Sequence, residues 1–531
     1  MSEIRVRFAP SPTGALHIGG VRTALYNYLF AKQHQGKLIL RIEDTDTTRF
    51  VPEAEQYILD AFHWLGITFD EGVHIPNNEN ISYRQSERKA IYKQYADYLV
   101  ENNLAYIAFD MPHEIERKRK THPNFQYDAS TRMSMKNTLS LPDEEVQRFL
   151  VFGKKYVIRL RIPSNENIEV DDMICGKVIV NSSILDDKVL WKSSDGLPTY
   201  HLANIVDDHL MGITHVIRGA EWLPSAPLHV LLYRYLGWEE TMPRFAHLPL
   251  ILKPEGNGKL SKRDGDQFGF PVFPIQWKDK DGDITLGYKE EGFLPEAVIN
   301  FLALLGWSPQ NRQEILSMQE LINEFSLNRV KKSGARFDFE KAKWFNHAYI
   351  QQKTNAELLQ FFRPMLLEKG IPINDKYLEK VTALIKERLN LINDFWEQAS
   401  FFFIRPVAYD EKIIKKWWNE DTAFHLDILK NILNDIEPFD KKHVHKIMMA
   451  FIHKQHLNIG EIMSCLRLSL VGAAKGPELF DIIELLGKKE TMTRIQLAIE
   501  IIDVTNETDE DDDENTVNNN NTNDAKANDN A

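Results

Sequence analysis

The chain has 531 residues, of which 43% are hydrophobic and 27% charged, and at roughly 150 residues per domain this length predicts about three to four domains. The composition excludes wholesale disorder, a collagen-like fibre and a disulfide scaffold. The two cysteines, Cys175 and Cys465, suit a reducing compartment and cannot by themselves form a zinc site with cysteine ligands. No stretch reaches the ~18 apolar residues of a membrane span, and the first residues have no signal-peptide pattern. We therefore expect a cytoplasmic protein that does not enter a membrane.

The net charge of −13 is unevenly distributed along the chain. Residues 506–531 contain nine acidic residues and one lysine, so they contribute −8 and leave −5 for the rest. This composition predicts a disordered acidic tail. Net charge therefore does not exclude a nucleic-acid partner.

The chain begins with a strand–helix–strand pattern. Apolar and charged residues alternate over 4–8, a helix is predicted from Leu16 towards Gln33, and a second buried strand follows at 38–42. A similar pattern recurs at 215–252, where Pro224 opens the predicted helix. Such units build parallel sheets.

Two further regions complete the predicted organisation. Residues 84–200 are more irregular and separate the two strand–helix–strand units, which predicts one Rossmann-like parallel sheet split by an inserted α/β domain. Residues 341–505 are poor in glycine and carry apolar residues with a 3.6-residue period, which predicts an all-helical domain. One helix of this domain is predicted over 379–398.

The turn at residues 10–20 is a candidate phosphate site. A glycine-containing turn that leads into a helix offers free backbone N–H groups and the positive end of the helix dipole. His17 lies where its ring can donate to phosphate oxygens, and Gly19 and Gly20 allow a nucleotide to approach the backbone. Taken alone, so short a pattern is more often a tight turn with a surface histidine.

A second candidate phosphate site follows the last predicted strand. Lys259, Lys262 and Arg263 flank Leu260 and Ser261 after a glycine-rich segment, which predicts a mobile basic loop able to close on a developing pyrophosphate charge. A solvated basic loop is the more common structure for this motif alone.

Together the two segments resemble the paired signatures of class I aminoacyl-tRNA synthetases. They read His17-Ile18-Gly19-Gly20 and Lys259-Leu260-Ser261-Lys262-Arg263, in the order of that class. The chain is similar to bacterial-type glutamyl-tRNA synthetases from about residue 4 to 503. The segments that carry this closer resemblance are 7–14 (RFAPSPTG), 41–46 (RIEDTD), 83–88 (YRQSER) and 198–209 (PTYHLANIVDDH).

The resemblance implies a glutamate–tRNA ligase that acts on L-glutamate, ATP with Mg²⁺, and tRNA(Glu). Catalytic roles fall on His17, Lys259 and Lys262, with Gly19 and Gly20 beside the ATP. The chain is expected to be a monomer. The implied domains are a first catalytic half (1–83), an inserted acceptor-end-binding domain (84–200), a second catalytic half (201–255), the lysine-signature loop with a stem-contact domain (256–340), the helical anticodon-binding domain (341–505) and the tail (506–531).

The resemblance also implies an amino-acid pocket, and the chemistry of its residues agrees. Arg7 and Arg218 come from strands whose carboxyl ends meet at the ligand edge of an open α/β sheet, and a guanidinium holds a carboxylate well. Glu43 suits the substrate ammonium group. Tyr200 and Asn204, four residues apart, can face one site from a helix. The implied glutamate-binding set is Arg7, Ala9, Ser11, Glu43, Tyr200, Asn204 and Arg218.

The sequence departs from the family pattern in several places. Gly20 replaces the second histidine of the class signature. The inserted region lacks the cysteine cluster of many bacterial members, so we predict no zinc. Residues at about 266–288 form an apparent insertion of unassigned role. Arg388 is a candidate tRNA contact, and a solvated helix face explains it equally well.

Three alternatives remain open at this point. A glutaminyl-tRNA synthetase-like enzyme is disfavoured by the helical C-terminal region and by the Pro-Ser-Pro-Thr-Gly turn. A small-molecule nucleotidyltransferase would need no helical appendage of this size. A non-catalytic RNA-binding paralogue is disfavoured by the presence of Arg7, His17 and Lys262. The choice between tRNA(Glu) alone and an additional glutamine tRNA depends on anticodon reading and is not predicted.

Overall fold

The computed structural model describes residues 3–76 and 81–502. The acidic segment 506–531 lies outside these residues, so its predicted disorder stays a prediction. The described chain forms two compact units. The first comprises the residues up to Leu358 together with Leu389–Asp394, and the second comprises Leu359–Arg388 together with the described residues from Phe395 onward.

Strands occur in the first unit. In chain order they are β1 (Arg5–Phe8), β2 (Lys37–Leu40), β3 (Glu71–Gly72), β4 (Ala105–Ala108), β5 (Val157–Leu160), β6 (Asn167–Asp172), β7 (Gly176–Asn181), β8 (Val189–Lys192), β9 (Leu197–Pro198), β10 (His215–Gly219), β11 (Arg244–Leu248), β12 (Ile251–Leu252), β13 (Trp277–Lys278), β14 (Ile284–Thr285) and β15 (Ala335–Arg336).

Helices connect these strands. They are α1 (Ile18–Gln33), α2 (Glu53–Leu65), α3 (Lys89–Glu101), α4 (Pro112–Thr121), α5 (Asp143–Val151), α6 (Tyr200–Leu210), α7 (Ala226–Tyr235), α8 (Lys262–Phe268), α9 (Pro295–Leu304), α10 (Met318–Glu324) and α11 (Phe339–Gln352). Short 3₁₀ helices lie at Gln85–Arg88, Arg132–Ser134, Ser182–Ile184, Ala220–Ser225, Glu239–Thr241 and Leu327–Arg329.

The part of the first unit that was predicted to form a Rossmann-like sheet contains parallel strands covered by helices, as predicted. β1, β2 and β3 pair in parallel in that order, and β10 pairs in parallel with β11. The two sets meet where the N–H of Thr214, just before β10, donates to the carbonyl of Arg5 at 2.9 Å. Helix α1 packs on the sheet through its buried face, and the side-chain amide of Asn27 donates to the Ile217 carbonyl at 3.0 Å.

The stretch between the two strand–helix–strand patterns contributes to two sheets. Strands β4, β5, β8 and β9 form an antiparallel sheet of their own. The β6–β7 hairpin instead joins the sheet of β10, because Asp172 at the end of β6 pairs in parallel with Phe245 of β11. The hairpin thus lies against the catalytic strands although its sequence falls in the predicted insertion.

The predicted helix between the second pair of strands begins later than its proline. Pro224 lies in the 3₁₀ helix Ala220–Ser225, and α7 starts at Ala226. The predicted last strand is divided at Pro249, which has no N–H to donate, into β11 and β12.

The second unit is helical, as predicted. Helix α12 (Asn355–Glu368) contains residues of both units. The helices that follow are α13 (Asp375–Ile385), α14 (Asp394–Phe403), α15 (Glu411–Trp417), α16 (Glu420–Asn434), α17 (Lys441–Lys454), α18 (Ile459–Val471) and α19 (Leu479–Ile501). Within the described residues, no helix is both long and apolar enough to cross a membrane.

The prediction of one continuous helix over 379–398 is wrong. Helix α13 ends at Ile385, a 3₁₀ turn covers Lys386–Arg388, and α14 begins only at Asp394. The Asp394 carboxylate accepts the N–H groups of Asn390 and Leu391 at 2.9 and 2.8 Å, and Gly292 accepts the N–H of Ile392 at 2.9 Å. These contacts, which apolar periodicity cannot reveal, replace the hydrogen bonds of a continuous helix.

Candidate active site

A cavity of about 990 Å³ opens in the first unit at the carboxyl ends of β1 and β10. It gathers almost every residue that the sequence singled out for binding or catalysis. These are Arg7, Ala9, Ser11, His17, Gly19, Gly20, Glu43, Tyr200, Asn204, Arg218, Lys259 and Lys262. Arg388 is the exception in the predicted set, since it belongs to the second unit and is exposed there.

His17 caps the helix that begins at the cavity wall. Its Nδ1 accepts the N–H of Gly19 at 3.0 Å, so in the neutral ring the proton resides on Nε2. Nε2 is buried and has no hydrogen-bond partner among the described residues. Burial, together with the nearby Lys262 and Lys259, lowers the pKa of His17 to about 4. The ring is therefore neutral near pH 7 and offers one unused N–H donor beside the cavity.

Two positions near the cavity, Gly14 and Gly20, favour glycine because of their backbone conformation or their packing. Gly14 has a φ of +128°, a conformation that only glycine adopts readily, and a Cβ built there would lie 3.6 Å from Lys262 Nζ. A Cβ on Gly20 would come within 2.7 Å of the Leu16 side chain. The Gly20 that replaces the second signature histidine therefore fits tight packing at the start of α1.

The end of the lysine motif begins a short helix. Ser261 caps α8, since its N–H and hydroxyl donate to the Asp264 carboxylate at 2.7 and 2.6 Å, and Lys262 is the first residue of that helix. Lys262 lies with Nζ 5.3 Å from the centre of the Phe273 ring. Lys259 Nζ forms an ion pair with Glu221 Oε1 at 2.8 Å. Both lysines of the motif line the cavity.

The segment at about 266–288 contacts both α1 and α2 beside the lysine motif. The carbonyl of Val272 accepts the N–H of Ile18 at 3.0 Å, which satisfies a free donor at the start of α1. Trp277 packs edge-to-face on Tyr57 of α2, with ring centres 5.0 Å apart. The apparent insertion, which follows α8 directly, is thus bonded to the start of α1.

Buried charged residues cluster around Arg7 and Glu43, which both line the cavity. Asp208 of α6 accepts from Arg7 Nε at 3.1 Å and from Arg41 Nη1 at 2.8 Å. Burial opposes ionisation of Asp208, yet Arg7 and Arg41 hold its pKa below the ordinary value. Glu43 Oε1 accepts from Arg41 Nη2 at 3.2 Å and from the amide of Asn204 at 3.3 Å. Burial raises the pKa of Glu43, and Arg41 and Arg7 act in the opposite sense.

Arg218 differs from the other two buried arginines because its partners are neutral. Its Nη1 donates to the hydroxyl of Tyr200 at 3.0 Å and to His229 Nδ1 at 3.2 Å, and its Nε donates to His247 Nε2 at 3.0 Å. Its Nη2 is buried and unpaired within the described chain, and no described carboxylate forms an ion pair with it. Burial lowers the pKa of Arg218, but a guanidinium stays charged in proteins.

The buried arginines differ in their anionic partners. Arg7 pairs with Asp208, and Arg41 pairs with Asp208, Glu43 and Asp207. Arg218 has no carboxylate in direct contact among the described residues, and the buried Asp172 reaches it only through His247. A buried cation without a bonded anion is costly, so this part of the cavity suits an anionic group of a ligand.

Comparisons with known proteins identify the family of the chain. The family described as "tRNA synthetases class I (E and Q), catalytic domain" matches residues 3–344, and an "anticodon binding domain" family matches residues 353–499. The glutamate–tRNA ligase of Porphyromonas gingivalis (strain W83) is 60% identical over 501 residues, which cover 94% of this chain and 99% of that protein. The chain belongs to the glutamate–tRNA ligase family.

Solved structures place the chain in the same family. A glutamate–tRNA ligase from Elizabethkingia meningosepticum, crystallised with its amino acid, is 49% identical and superposes with a TM-score of 0.89 over 94% of this chain and all of that one. The glutamate–tRNA synthetase of Elizabethkingia anophelis gives 49% identity and a TM-score of 0.87 with the same coverage. The family relationship therefore spans both the catalytic and the helical parts of the chain.

Several site residues were not identified as such from the sequence. Arg41 and Asp208 lie in segments that carry the resemblance to the ligase family, and the four-residue spacing of Tyr200, Asn204 and Asp208 on one helix was a usable signal. His229 and His247 gave no local signal, because only strand pairing and helix packing bring them to Arg218. Among the described residues, no group of three or more His, Cys, Asp or Glu side chains is arranged to hold a metal ion. The expected absence of zinc stays a prediction.

Proposed function

We propose that this member of the glutamate–tRNA ligase family activates L-glutamate with ATP and transfers it to the 3′-terminal ribose of tRNA(Glu). The observation that carries the proposal is that Arg218, which has a buried unpaired Nη2 and no directly bonded carboxylate among the described residues, lies in the cavity that also contains His17, Lys259 and Lys262. The side chain of glutamate ends in a carboxylate that can bind there. The side chain of glutamine is neutral.

The proposed amino-acid subsite assigns one role to each charged wall residue. Arg218 and Tyr200 receive the side-chain carboxylate of glutamate, because Arg218 has unused N–H groups and no anionic partner among the described residues. Glu43, oriented by Asn204 and Arg41, receives the ammonium group. Arg7 lies near the α-carboxylate, and Ala9 and Ser11 supply the adjoining backbone and hydroxyl surface.

The proposed ATP subsite lies at the start of α1. His17 donates from Nε2 to a phosphate oxygen, because its Nδ1 is occupied by Gly19. Lys262 contacts the phosphates directly, and Lys259 does so once it leaves Glu221. Gly19 and Gly20 leave the helix start open to the nucleotide. Mg²⁺ that arrives with ATP would neutralise part of the phosphate charge.

The reaction then requires positioning and charge stabilisation more than acid–base chemistry. The glutamate α-carboxylate attacks the α-phosphorus of ATP, glutamyl-adenylate forms and pyrophosphate leaves. The 2′-hydroxyl of the terminal tRNA ribose attacks the activated carbonyl and releases AMP. His17 and Lys262 stabilise negative charge on the phosphates as it moves to pyrophosphate.

The proposed contacts with tRNA lie in two separate regions of the chain. The helical second unit is the proposed anticodon reader, with Arg388 as a candidate contact, and residues 84–200 are proposed to hold the acceptor end. The domain boundaries given from the sequence stand as part of this proposal. We also propose that the enzyme acts as a monomer in the cytoplasm.

Exchange of radioactive pyrophosphate into ATP tests the function. We expect exchange only when glutamate and a glutamate-accepting tRNA are present, with little or none when glutamine replaces glutamate. Charging of tRNA(Glu) and tRNA(Gln) transcripts, assayed in parallel, then defines the RNA substrate. Exchange that depends on glutamine would assign the chain to the glutaminyl enzymes instead, and exchange without any amino acid would indicate a different nucleotidyltransferase.

A further inference from the structure

Three side chains cross the sheet in a line towards the cavity. Arg218 of β10 is the direct register partner of His247 on the neighbouring parallel strand β11. Phe245, two residues before His247 on that strand, pairs with Asp172 at the end of β6. The imidazole Nδ1 of His247 lies 2.6 Å from Asp172 Oδ2, and its Nε2 lies 3.0 Å from Arg218 Nε. All three residues are buried.

The partners determine where the protons are. A guanidinium can only donate, so His247 Nε2 must accept from Arg218 and the imidazole proton must reside on Nδ1. That Nδ1–H donates to the Asp172 carboxylate, which fixes both the tautomer and the ring orientation. The other oxygen of Asp172 accepts the N–H groups of Ile174 and Cys175 at 2.9 and 2.7 Å, so the carboxylate itself cannot rotate freely.

A second neutral histidine completes the set of acceptors around Arg218. His229 Nδ1 accepts from Arg218 Nη1, so its proton resides on Nε2, which faces His201 Nδ1 at 3.3 Å. Tyr200 takes the other N–H of Nη1. The N–H groups of Nε and Nη1 are therefore all used, and only those of Nη2 are left unpaired.

We propose that His247, oriented by Asp172, is a positioning residue that holds the Arg218 guanidinium so that Nη2 alone presents its N–H groups to the side-chain carboxylate of the substrate. This inference rests on the proposed function. It concerns residues behind the proposed amino-acid pocket, because neither His247 nor Asp172 lines the cavity.

The use of histidine explains how the charge on Arg218 is preserved. A carboxylate bonded directly to Arg218 would neutralise it, as Asp208 does for Arg7. His247 instead accepts one N–H while remaining neutral, and Asp172 is held one imidazole ring away. The guanidinium is thus fixed by hydrogen bonds and still attracts an anion, which favours glutamate over glutamine.

The test replaces His247 and measures steady-state charging of tRNA(Glu). His247→Phe removes both ring nitrogens at similar size, and we expect the KM for glutamate to rise about 10- to 100-fold while the KM for ATP changes little. His247→Gln restores an acceptor for Arg218 Nε and should recover part of the loss. His215→Phe is the matched control, because His215 is also a buried strand histidine but does not contact Arg218.

A second variant tests the tautomer. In Asp172→Asn the amide oxygen keeps the bonds to Ile174 and Cys175, so the NH₂ takes the place of Oδ2, which accepts both the His247 Nδ1–H and, at 3.1 Å, the His247 backbone N–H. The NH₂ facing Nδ1 moves the imidazole proton to Nε2. Two N–H donors then oppose each other at Arg218, and discrimination between glutamate and glutamine should fall. Melting temperatures of all variants identify any loss that comes from unfolding alone.

The outcomes separate this proposal from the proposed function. If the wild-type protein does not charge tRNA(Glu) with glutamate, the proposed function is wrong. If the wild type charges normally and folded His247→Phe and Asp172→Asn keep the wild-type KM for glutamate, the positioning role is wrong. Equal rises in KM for glutamate and ATP, or the same rise in His215→Phe, would also overturn it, since a general structural defect would then account for the effect.

Discussion

Arg7 and Asp208 form a fully buried ion pair, with Arg7 Nε 3.1 Å from Asp208 Oδ1 and Nη2 3.3 Å from Oδ2. Asp208 also accepts from Arg41, so it is bonded to two buried guanidinium groups, of which that of Arg7 lines the cavity. Because Arg7 already has an anionic partner, its ability to select for ligand charge is weaker than that of Arg218. This difference underlies the roles proposed for the two arginines.

Replacing Asp208 should destabilise the first unit strongly. Asp208→Asn leaves the buried Arg7 without its carboxylate and removes one of the carboxylate partners of Arg41, and breaking a buried ion pair costs about 3–5 kcal/mol. Thermal or urea unfolding measures the change. Asp97→Asn is the control, because Asp97 pairs with Lys93 on an exposed helix face and should contribute less than about 1 kcal/mol. Equal losses in the two variants would contradict the structural role of Asp208.

Lys262→Ala should slow the adenylation step. Loss of one preorganised cation beside the transferred phosphate costs on the order of 3 kcal/mol, or ~10²-fold in rate. Glutamate and tRNA affinity should change far less. Arg263→Ala is the matched control, since Arg263 follows in the same motif but does not line the cavity. Damage confined to tRNA binding would instead indicate that Lys262 docks the RNA.

Arg218→Ala should impair glutamate use and weaken discrimination against glutamine. Without the buried cation, the side-chain carboxylate of glutamate has no ionic partner at this position. We therefore expect kcat/KM for glutamate to fall about 10²- to 10³-fold. Glutamine, whose side chain is neutral, should lose less. Activation assays with both amino acids measure the ratio. Equal losses would mean that Arg218 binds the shared α-carboxylate and that Arg7 reads the side chain.

Stability should fall as the pH drops from about 6.5 towards 4. Burial lowers the pKa of His17, His201 and His215 to about 4, whereas the same side chains in the unfolded chain bind a proton near pH 6.5. In this window the unfolded state holds more protons, so each histidine reduces stability by about 1.4 kcal/mol per pH unit of decrease. Unfolding measured at pH 7.5 and pH 5 checks the direction. His215→Gln, which cannot titrate, should flatten the dependence.

Zinc should not be required. The two cysteines lie in different units, and within the described residues no three potential ligands converge on a metal position. Protein dialysed against a chelator should keep its melting temperature and charging rate when Mg²⁺ is present. Elemental analysis that found about one zinc per chain, together with loss of either property after chelation, would show this prediction to be wrong.

The sequence by itself determined the parallel sheet, the helical C-terminal part and most of the cavity lining. Alternation at residues 4–8 and the helix after the turn at 10–14 are local signals, and the paired motifs around His17 and Lys262 carry the family resemblance. That resemblance implied Arg7, Glu43 and Arg218, and their positions at the carboxyl ends of predicted parallel strands agreed with it. Each of these inferences depends on local sequence, on the family resemblance or on a fixed topological rule.

Only the tertiary structure decided how the charges are partnered. The line from Asp172 through His247 to Arg218 joins residues 75 and 29 positions apart, and strand register, which no local pattern contains, brings them together. The break in the predicted 379–398 helix likewise depends on a bond from Ile392 to Gly292, a hundred residues away. Local propensity largely decides which helices and strands form. The free-energy cost of burying a polar group depends instead on the partner it finds in the folded chain, and that partner is often distant in sequence. For that reason Arg7, which is bonded to a carboxylate, and Arg218, which has no carboxylate in direct contact among the described residues, could be told apart only in the folded chain.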